Sequence, residues 1–324
     1  MAVWLPDAPD ISPMDIRPAG RLRDSSGIVD DRERLDERYE EDGYLYFRNL
    51  LPKEAVEAAR REMMAPLLAD GLIDADCVWI GGERETGITE TGPTYRGVWP
   101  RLFDGSGVKD ALAKLLGEAP ATVPMVQYRA YPPNKRAGGV HQDGFASPGV
   151  TGYKPLWIPL IEMDEAMGGL VLATGFTKRD YIHNIAKKPM SPVPAGIIPD
   201  SAWLRADYEP TDLVMIHPKT PHTGLPNRSR RVRLSIDTRV QSAANPAAIW
   251  GELVDGSPDA VTLKLADGGL RTLRLSDQSF IRSGPDRGPR LSRTEYLEVT
   301  PLGELLMAAF EGDHALMLRR ADPG

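Results

Sequence analysis

The stretch His222-Thr223-Gly224-Leu225-Pro226-Asn227-Arg228-Ser229, followed after two arginines by Val232-Arg233-Leu234-Ser235-Ile236-Asp237-Thr238-Arg239-Val240, decides how this chain folds. In its second half Val232, Leu234, Ile236 and Val240 alternate with Arg233, Ser235, Asp237 and Arg239. That is the period of a β-strand with one apolar and one polar face. A polar face turned into a barrel is costly unless it binds something. Arg233 and Ser235 together suit a carboxylate, because a planar guanidinium gives paired charge-assisted hydrogen bonds worth roughly 1.5–3 kcal/mol each.

Outward from this strand, short β-rich runs separated by Gly and Pro fill the region from Val123 to Gln241: Val126–Arg129, Val140–Asp143, Pro155–Leu160, Gly169–Leu172 and Asp212–Ile216. Strands at this spacing predict an antiparallel sandwich or barrel. Helices are predicted from about Asp30, from Leu51-Pro52 with Ala55, Val56, Ala59 and Met63 on one face, and over Val108–Leu116 before Gly117. Residues 71–105, with Gly81, Gly82 and Gly87, read as a loop; no Lys-Ser/Thr follows these glycines, so a phosphate cradle is not expected. Beyond Ala243 the pattern predicts a hairpin over Val261–Leu275 and a helix near Leu302–Phe310. The division that results is an N-terminal arm and helix over residues 1–36, a β domain over 37–243, and a C-terminal extension of hairpin plus helix over 244–324, packed on the same domain.

Hydrophobic residues at 41% and charged residues at 26% describe an ordinary folded domain, and a net charge of -7 lacks the basic excess that phosphate backbones require. No nucleic-acid or membrane partner is expected. A single cysteine, Cys77, makes no internal disulfide, and the first residues show no basic run leading into an apolar segment, so a cytoplasmic location is expected. Only five histidines are present: His141, His183, His217, His222 and His314. His141 and Asp143 stand two apart in a strand-like run, so both side chains project from one face. A second histidine on another strand completes a two-histidine, one-carboxylate face that leaves positions of an octahedral iron open. His217 and His222 are the candidates. His222 opens the segment that leads to Arg233 and is preferred; His217 ends the strand before it and is read as packing.

This constellation resembles the phytanoyl-CoA dioxygenase-like branch of the iron(II)/2-oxoglutarate-dependent oxygenases. His141-Gln142-Asp143 is similar to the family's His-x-Asp, and His222, Asn227, Ser229 and Arg233 to its distal segment. Leu156–Leu160, Gly168–Leu172 and the opening Asp42-Gly43-Tyr44-Leu45 also look like the family's strands, so the resemblance spans roughly 37–240. Two departures stand out. Gly175-Phe176-Thr177 replaces a Ser-His after the turn glycine, and Gly224 stands where some relatives carry a serine, which shifts the hydroxyl contact to Ser235 or Thr223. The carboxylate of Asp143 disfavours halogenation, for which relatives carry a small residue there.

The resemblance implies a mainly β fold with flanking helices around a double-stranded β-helix, the jelly-roll or cupin-like core. It implies iron(II) held by His141, Asp143 and His222. It also implies 2-oxoglutarate as co-substrate, held by Arg233 and Ser235 with Thr223 and Gln127, and O2 as oxidant. The expected reaction is hydroxylation of an unactivated C–H bond in a small-molecule metabolite or natural-product intermediate, with 2-oxoglutarate decarboxylated to succinate. Desaturation, epimerisation or cyclisation by the same oxidant is the alternative, and a cupin-type isomerase or lyase without 2-oxoglutarate is the alternative of another class. Arg129, Gln142, Phe145, Trp157 and Arg239 are candidate walls of the substrate pocket. The arginine-bearing loop from Ser279 to Arg293 is expected to be solvated or to meet a second subunit, and a homodimer is a further expectation.

Overall fold

The computed structural model describes residues 2–82, 97–105, 107–123, 125–134, 138–146, 150, 152–188, 191–283 and 290–320. Its helices are α1 (Arg32–Asp42), α2 (Lys53–Ala69), α3 (Val98–Asp104), α4 (Val108–Leu116), α5 (Asp143–Ala146) and α6 (Arg293–Val299). Its strands are β1 (Gly20–Arg21), β2 (Tyr44–Phe47), β3 (Pro120–Thr122), β4 (Gln127–Tyr131), β5 (Tyr153–Pro159), β6 (Gly169–Ala173), β7 (Trp203–Arg205), β8 (Leu213–Ile216), β9 (His222–Leu225) and β10 (Arg233–Ser242). The C-terminal strands are β11 (Ala248–Ser257), β12 (Ala260–Lys264), β13 (Leu270–Arg274), β14 (Phe280–Arg282), β15 (Leu305–Glu311) and β16 (His314–Arg320).

The predicted helices form for local reasons. Asp31 caps α1 by accepting from the Arg34 N–H, and Gly43 ends it at φ 81°, a conformation glycine adopts cheaply. Gly117 ends α4 in the same way, at φ 73°. Along α2 the residues Val56, Ala59 and Met63 are buried, as their spacing predicts, and Ala55, at the edge of that face, is only partly buried.

Two sheets make the jelly roll. The larger runs β2-β8-β5-β10, and the free edge of β10 pairs with β4 over Arg233–Asp237 and with β3 over Val240–Ser242. The smaller runs β1-β7-β6-β9. Leu234, Ile236 and Val240 of β10 pack into one core with Val56, Ala59 and Met63 of α2, so the helices cover the outer face of the larger sheet. By strand alternation the polar residues of β10 therefore point between the sheets. The fold is a mainly β, double-stranded β-helix with flanking helices. The N-terminal arm runs over the smaller sheet: β1 pairs with β7, and the Ile11 N–H donates to the Val193 carbonyl.

The C-terminal region departs from expectation. The hairpin is present as β12 and β13, but Leu305–Glu311, which overlaps the expected helix, is the strand β15. Its side chains alternate between two cores. Leu306 and Ala308 enter the core of the C-terminal sheet, whereas Met307 and Ala309 pack with Val123, Met125 and Tyr153 of the jelly roll. A strand buried on both faces reads as a continuous apolar run, which is also how a buried helix reads. The helix of this region is α6 instead, opened by a capping box in which Ser292 and Glu295 bond reciprocally. The order β13-β12-β11-β15-β16 closes on itself through the parallel pair Arg274 and His314, giving a small five-stranded barrel. Gln241, the last residue of β10 but one, fastens it to the jelly roll: its Oε1 accepts from the Ala247 and Ala248 N–H groups and its Nε2 donates to the Ala248 carbonyl. Of the loop expected over 71–105, residues 83–96, Gly87 among them, lie outside the described residues, and Val98–Asp104 is instead the helix α3, which buries Val98, Trp99, Leu102 and Phe103. Residues 284–289 of the arginine-bearing loop also lie outside the described residues.

Candidate metal centre

His141 and His222 are brought together by their own backbones. The His141 N–H donates to the His222 carbonyl at 3.1 Å and the His222 N–H returns the bond at 2.9 Å, which sets the two rings 4.3 Å apart. His222 opens β9, opposite Leu172 of β6. Asp143 does not sit in a strand, as the His-x-Asp spacing suggested, but begins the short helix α5. That turn is held where the Gly144 N–H meets the Pro218 carbonyl at 2.8 Å. A Cβ at position 144 would lie 2.4 Å from the Tyr181 hydroxyl and 3.2 Å from the Pro218 carbonyl oxygen, so a side chain there would force its neighbours to shift.

The three side chains converge. Asp143 Oδ1 lies 3.5 Å from His141 Nε2 and 4.0 Å from His222 Nε2, and one ligand atom from each residue falls within 4.8 Å of the others. His141 Nδ1 faces the Gly139 carbonyl and His222 Nδ1 faces the Thr220 carbonyl, each at 3.0 Å. A carbonyl only accepts, so each Nδ1 carries the proton and each Nε2 keeps its lone pair toward Asp143. Burial pushes the His222 imidazole down to about 4, which leaves it neutral at physiological pH. Burial opposes charge on Asp143, yet the Arg239 guanidinium beside it outweighs burial and holds the carboxyl well below the usual carboxylate range. Two imidazole nitrogens and one carboxylate oxygen on one face form a donor set suited to iron(II).

The inner face of β10 stands beside this cluster. Arg233 is buried, donates from Nη1 to the Leu225 carbonyl at 2.8 Å, and lies over the Tyr131 ring at 4.7 Å. Its Nε is buried without a hydrogen-bond partner among the described residues. Burial pulls its pKa down to about 10, which still leaves it charged at neutral pH. Gly224, two residues after His222, makes room for it: a Cβ there would lie 2.6 Å from Arg233 Nη2. The missing serine of the distal segment is thus replaced by space for the guanidinium. Ser235 is buried on the same face, opposite Arg129 of β4 and Pro159 of β5.

The remaining sequence candidates separate. Arg129 donates from Nε to Asp237 Oδ2 at 2.7 Å and from Nη2 to Gln127 Oε1, so Gln127, Arg129 and Asp237 form one network on the inner face. Arg239 Nη2 lies 3.6 Å from Asp143 Oδ2. Phe145 stacks on His183 with ring centroids 4.0 Å apart. Trp157 is on the inner face opposite Asp237 but is buried edge-on against Tyr208.

Two candidates are corrected. Gln142 is fully buried and both ends of its amide are used on main chain, Nε2 on the Lys219 carbonyl and Oε1 on the Ile182 N–H, so it braces the turn rather than lining a pocket. Thr223 lies on the opposite face of β9 from His222, across from Val171, and its hydroxyl donates to the Gly138 carbonyl, so Ser235 is the hydroxyl on the inner face. His217 packs against Tyr39, with Nε2 3.8 Å from Glu40, and is not part of the cluster. Sequence reasoning named no role for Asp237 or Tyr131, although alternation puts Asp237 in line with Arg233 and Tyr131 pairs directly with Arg233.

Two relatives are 1-deoxypentalenic acid 11-beta-hydroxylases. The one from Streptomyces exfoliatus is 28% identical over 270 residues, covering 75% of this chain and 94% of its own length. The one from Streptomyces arenae is 28% identical over 268 residues with the same coverage. Among solved structures, EctD from S. alaskensis in its apoform superposes with a TM-score of 0.48 at 16% identity, over 73% of this chain and 88% of its own. The epimerase SnoN in complex with Fe3+, alpha ketoglutarate and nogalamycin RO gives 0.48 at 18% identity, over 65% and 83%. The family model for phytanoyl-CoA dioxygenase (PhyH) matches residues 39–235, which take in His141, Asp143, His222 and Arg233, and this chain belongs to that family.

Proposed function

We propose that the chain is an iron(II)/2-oxoglutarate-dependent dioxygenase that hydroxylates an unactivated C–H bond of a small-molecule natural-product intermediate. The reading is supported by the family and by relatives that are hydroxylases of a small molecule. The observation that carries it is the convergence of His141, Asp143 and His222 beside a buried Arg233 with an unsatisfied Nε. A cupin-type isomerase or lyase would leave that guanidinium buried with no anion to receive, at a cost of several kcal/mol on the order expected for an uncompensated buried charge.

In this reading His141, Asp143 and His222 hold the metal, and Arg233 with Ser235 receives the distal carboxylate of 2-oxoglutarate. Iron(II), 2-oxoglutarate and O2 supply the oxidising power, with succinate as the co-product. The protein supplies position and a dry site. The Gly139 and Thr220 carbonyls fix the two imidazoles, the Gly144 turn fixes Asp143, and Gly224 and Tyr131 fix the Arg233 guanidinium from two sides. Addition of iron(II) and 2-oxoglutarate under argon should produce the weak visible charge-transfer band of a chelated oxo-acid. No band at saturating 2-oxoglutarate would overturn the reading.

We also infer a cytoplasmic enzyme, supported by the single, buried Cys77 and by the absence among the described residues of a helix long and apolar enough to cross a membrane. A homodimer is the corresponding proposal for assembly, checked by light scattering.

A further inference from the structure

We propose that Arg239 is the substrate-recognition residue of this site and that it binds a carboxylate on the substrate, so that the molecule oxidised is a monoanionic acid. The inference rests on the functional reading above and deepens it.

Arg239 follows Arg233, Ser235 and Asp237 on the inner face of β10, where Pro155 of β5 is its cross-strand partner. Its side chain is only 12% exposed. Its Nε is buried without a hydrogen-bond partner among the described residues, and its ion pair with Asp143 is 3.6 Å long, beyond good hydrogen-bond distance. A guanidinium carries five N–H donors. Asp143 Oδ2 engages one of them at most, and the other carboxylate oxygen, Oδ1, is the one that faces both imidazoles. The donors left over lie beside Asp143 on a largely buried side chain, where an unanswered cation is costly.

The charges on this face make the same point. Arg129, Arg233 and Arg239 are three cations, and Asp143 and Asp237 are two carboxylates. Asp237 is spent on Arg129 at 2.7 Å. Iron(II) and the two carboxylates of 2-oxoglutarate cancel each other, so loading the site does not change the sum. One positive charge remains among the described residues, and it belongs to Arg239 once Asp143 serves the metal and Arg233 serves 2-oxoglutarate. A substrate carboxylate neutralises it with paired, charge-assisted hydrogen bonds. Arg239 then acts as an anchor that holds the acid end and presents the carbon skeleton beside Asp143.

The test uses matched probes: cyclohexanecarboxylic, decalin-2-carboxylic and adamantane-1-carboxylic acids, each against its own primary amide. Binding is measured by calorimetry to the full chain loaded with iron(II) and 2-oxoglutarate under argon. The expected result is that at least one acid binds tenfold or more tighter than its amide, that Arg239→Gln removes this preference, and that Arg239→Lys keeps part of it. If no acid binds at millimolar concentration, or acids and amides bind alike, the proposal is overturned. It is also overturned if Arg239→Gln weakens acid and amide equally, which would make Arg239 a positioning residue for Asp143. Should Arg239→Gln fail to fold, the wild-type acid-against-amide comparison decides. The charge-transfer band of the wild type is recorded on the same samples. A missing band refutes the functional reading, whereas a band without acid preference refutes this inference alone.

Discussion

The face of β10 that points between the two sheets carries Arg233, Ser235, Asp237 and Arg239, whereas the five-stranded C-terminal barrel encloses Leu253, Val261, Leu263, Leu273, Leu306 and Ala308. Both interiors are built mainly from antiparallel strands. In the barrel each buried side chain adds transfer free energy, roughly 1.5–3 kcal/mol for a Leu or Val. On the inner face of the jelly roll's β10 the side chains are mostly charged, and two of the three arginines beside the site have a buried Nε with no partner among the described residues. An interior of that kind is justified by what it binds and not by what it contributes to stability. The jelly roll can carry it because its outer face, through Leu234, Ile236 and Val240, is packed into the largest apolar core of the molecule. The barrel, in turn, shares Met307, Ala309 and Met317 with the jelly roll and so braces the larger sheet from its end.

The largest effect belongs to the ligand cluster. Asp143→Ala and His222→Ala should each reduce succinate formation by about a thousandfold or more, the scale on which loss of a group essential to the reaction is felt. His217→Ala, whose ring rests on Tyr39 outside the cluster, should stay within a few-fold of wild type. An inactive His217→Ala beside an active His222→Ala would reverse the choice of distal ligand.

Next come two substitutions that set the interiors against each other. Leu263→Ala removes a fully buried side chain of the barrel and should cost about 2–5 kcal/mol of unfolding free energy. Arg233→Met should cost no more than about 1 kcal/mol in the metal-free protein. The hydrogen bond to the Leu225 carbonyl is lost, but a buried cation is relieved at the same time. The same change should abolish saturable binding of 2-oxoglutarate. Urea unfolding and calorimetric titration read the two effects separately. If Arg233→Met proved as destabilising as Leu263→Ala, the polar face would be structural and the contrast would fail.

The same contrast explains what the sequence made legible. Alternation of charge and hydrocarbon along 232–240 announced the strand and its polar face. The scarcity of histidine made the candidate ligand cluster findable. Three things were not legible. The helix expected near Leu302–Phe310 is a strand because both of its faces are covered, which erases the period of two. Asp143 reaches the metal face through a turn, since its position depends on the Gly144 contact with Pro218. Gln142 and Thr223 sit next to ligands in sequence and point elsewhere in space, toward main-chain partners that a local pattern does not reveal. Adjacency to a ligand is therefore a poor guide to function on a strand or turn, where neighbouring side chains diverge.

Acid sensitivity should follow the buried histidines of the jelly roll. Burial pushes His183 down to about 4, with Nε2 accepting from the Gln142 N–H and Nδ1 facing the Ser191 carbonyl. Protonating Nε2 would set two donors against each other. The unfolded chain takes up that proton near pH 6.5, so the stability His183 contributes is present above 6.5 and is lost as pH falls toward 4. The two ends of that window set an upper bound of about 3 kcal/mol. His217 and His222 shift the same way through burial, whereas at His141 the Asp143 carboxylate outweighs burial and raises it. The metal-free protein should therefore show unfolding free energy that is flat between pH 8 and 7 and declines below 6.5. A profile that rises on acidification to pH 5 would contradict the balance.

The smallest predicted effect is also the finest probe of the polar interior. Gly224 has no left-handed backbone to protect, so alanine there meets only one obstacle, Arg233 Nη2 at 2.6 Å from the new Cβ. The guanidinium is the far end of a flexible side chain and can retreat, but it then leaves the Leu225 carbonyl and the Tyr131 ring that aim it. Gly224→Ala should therefore raise the KM for 2-oxoglutarate about tenfold, equivalent to about 1.4 kcal/mol, while the unfolding midpoint stays near that of wild type. Serine at 224, the residue some relatives of the family carry, adds a hydroxyl that can bond the same co-substrate carboxylate, and Gly224→Ser should recover part of the loss. Steady-state kinetics with varied 2-oxoglutarate separate the cases. If alanine and serine are equally impaired, space alone matters at 224. If neither is impaired, Arg233 does not need its present position, and its assignment to the co-substrate carboxylate falls.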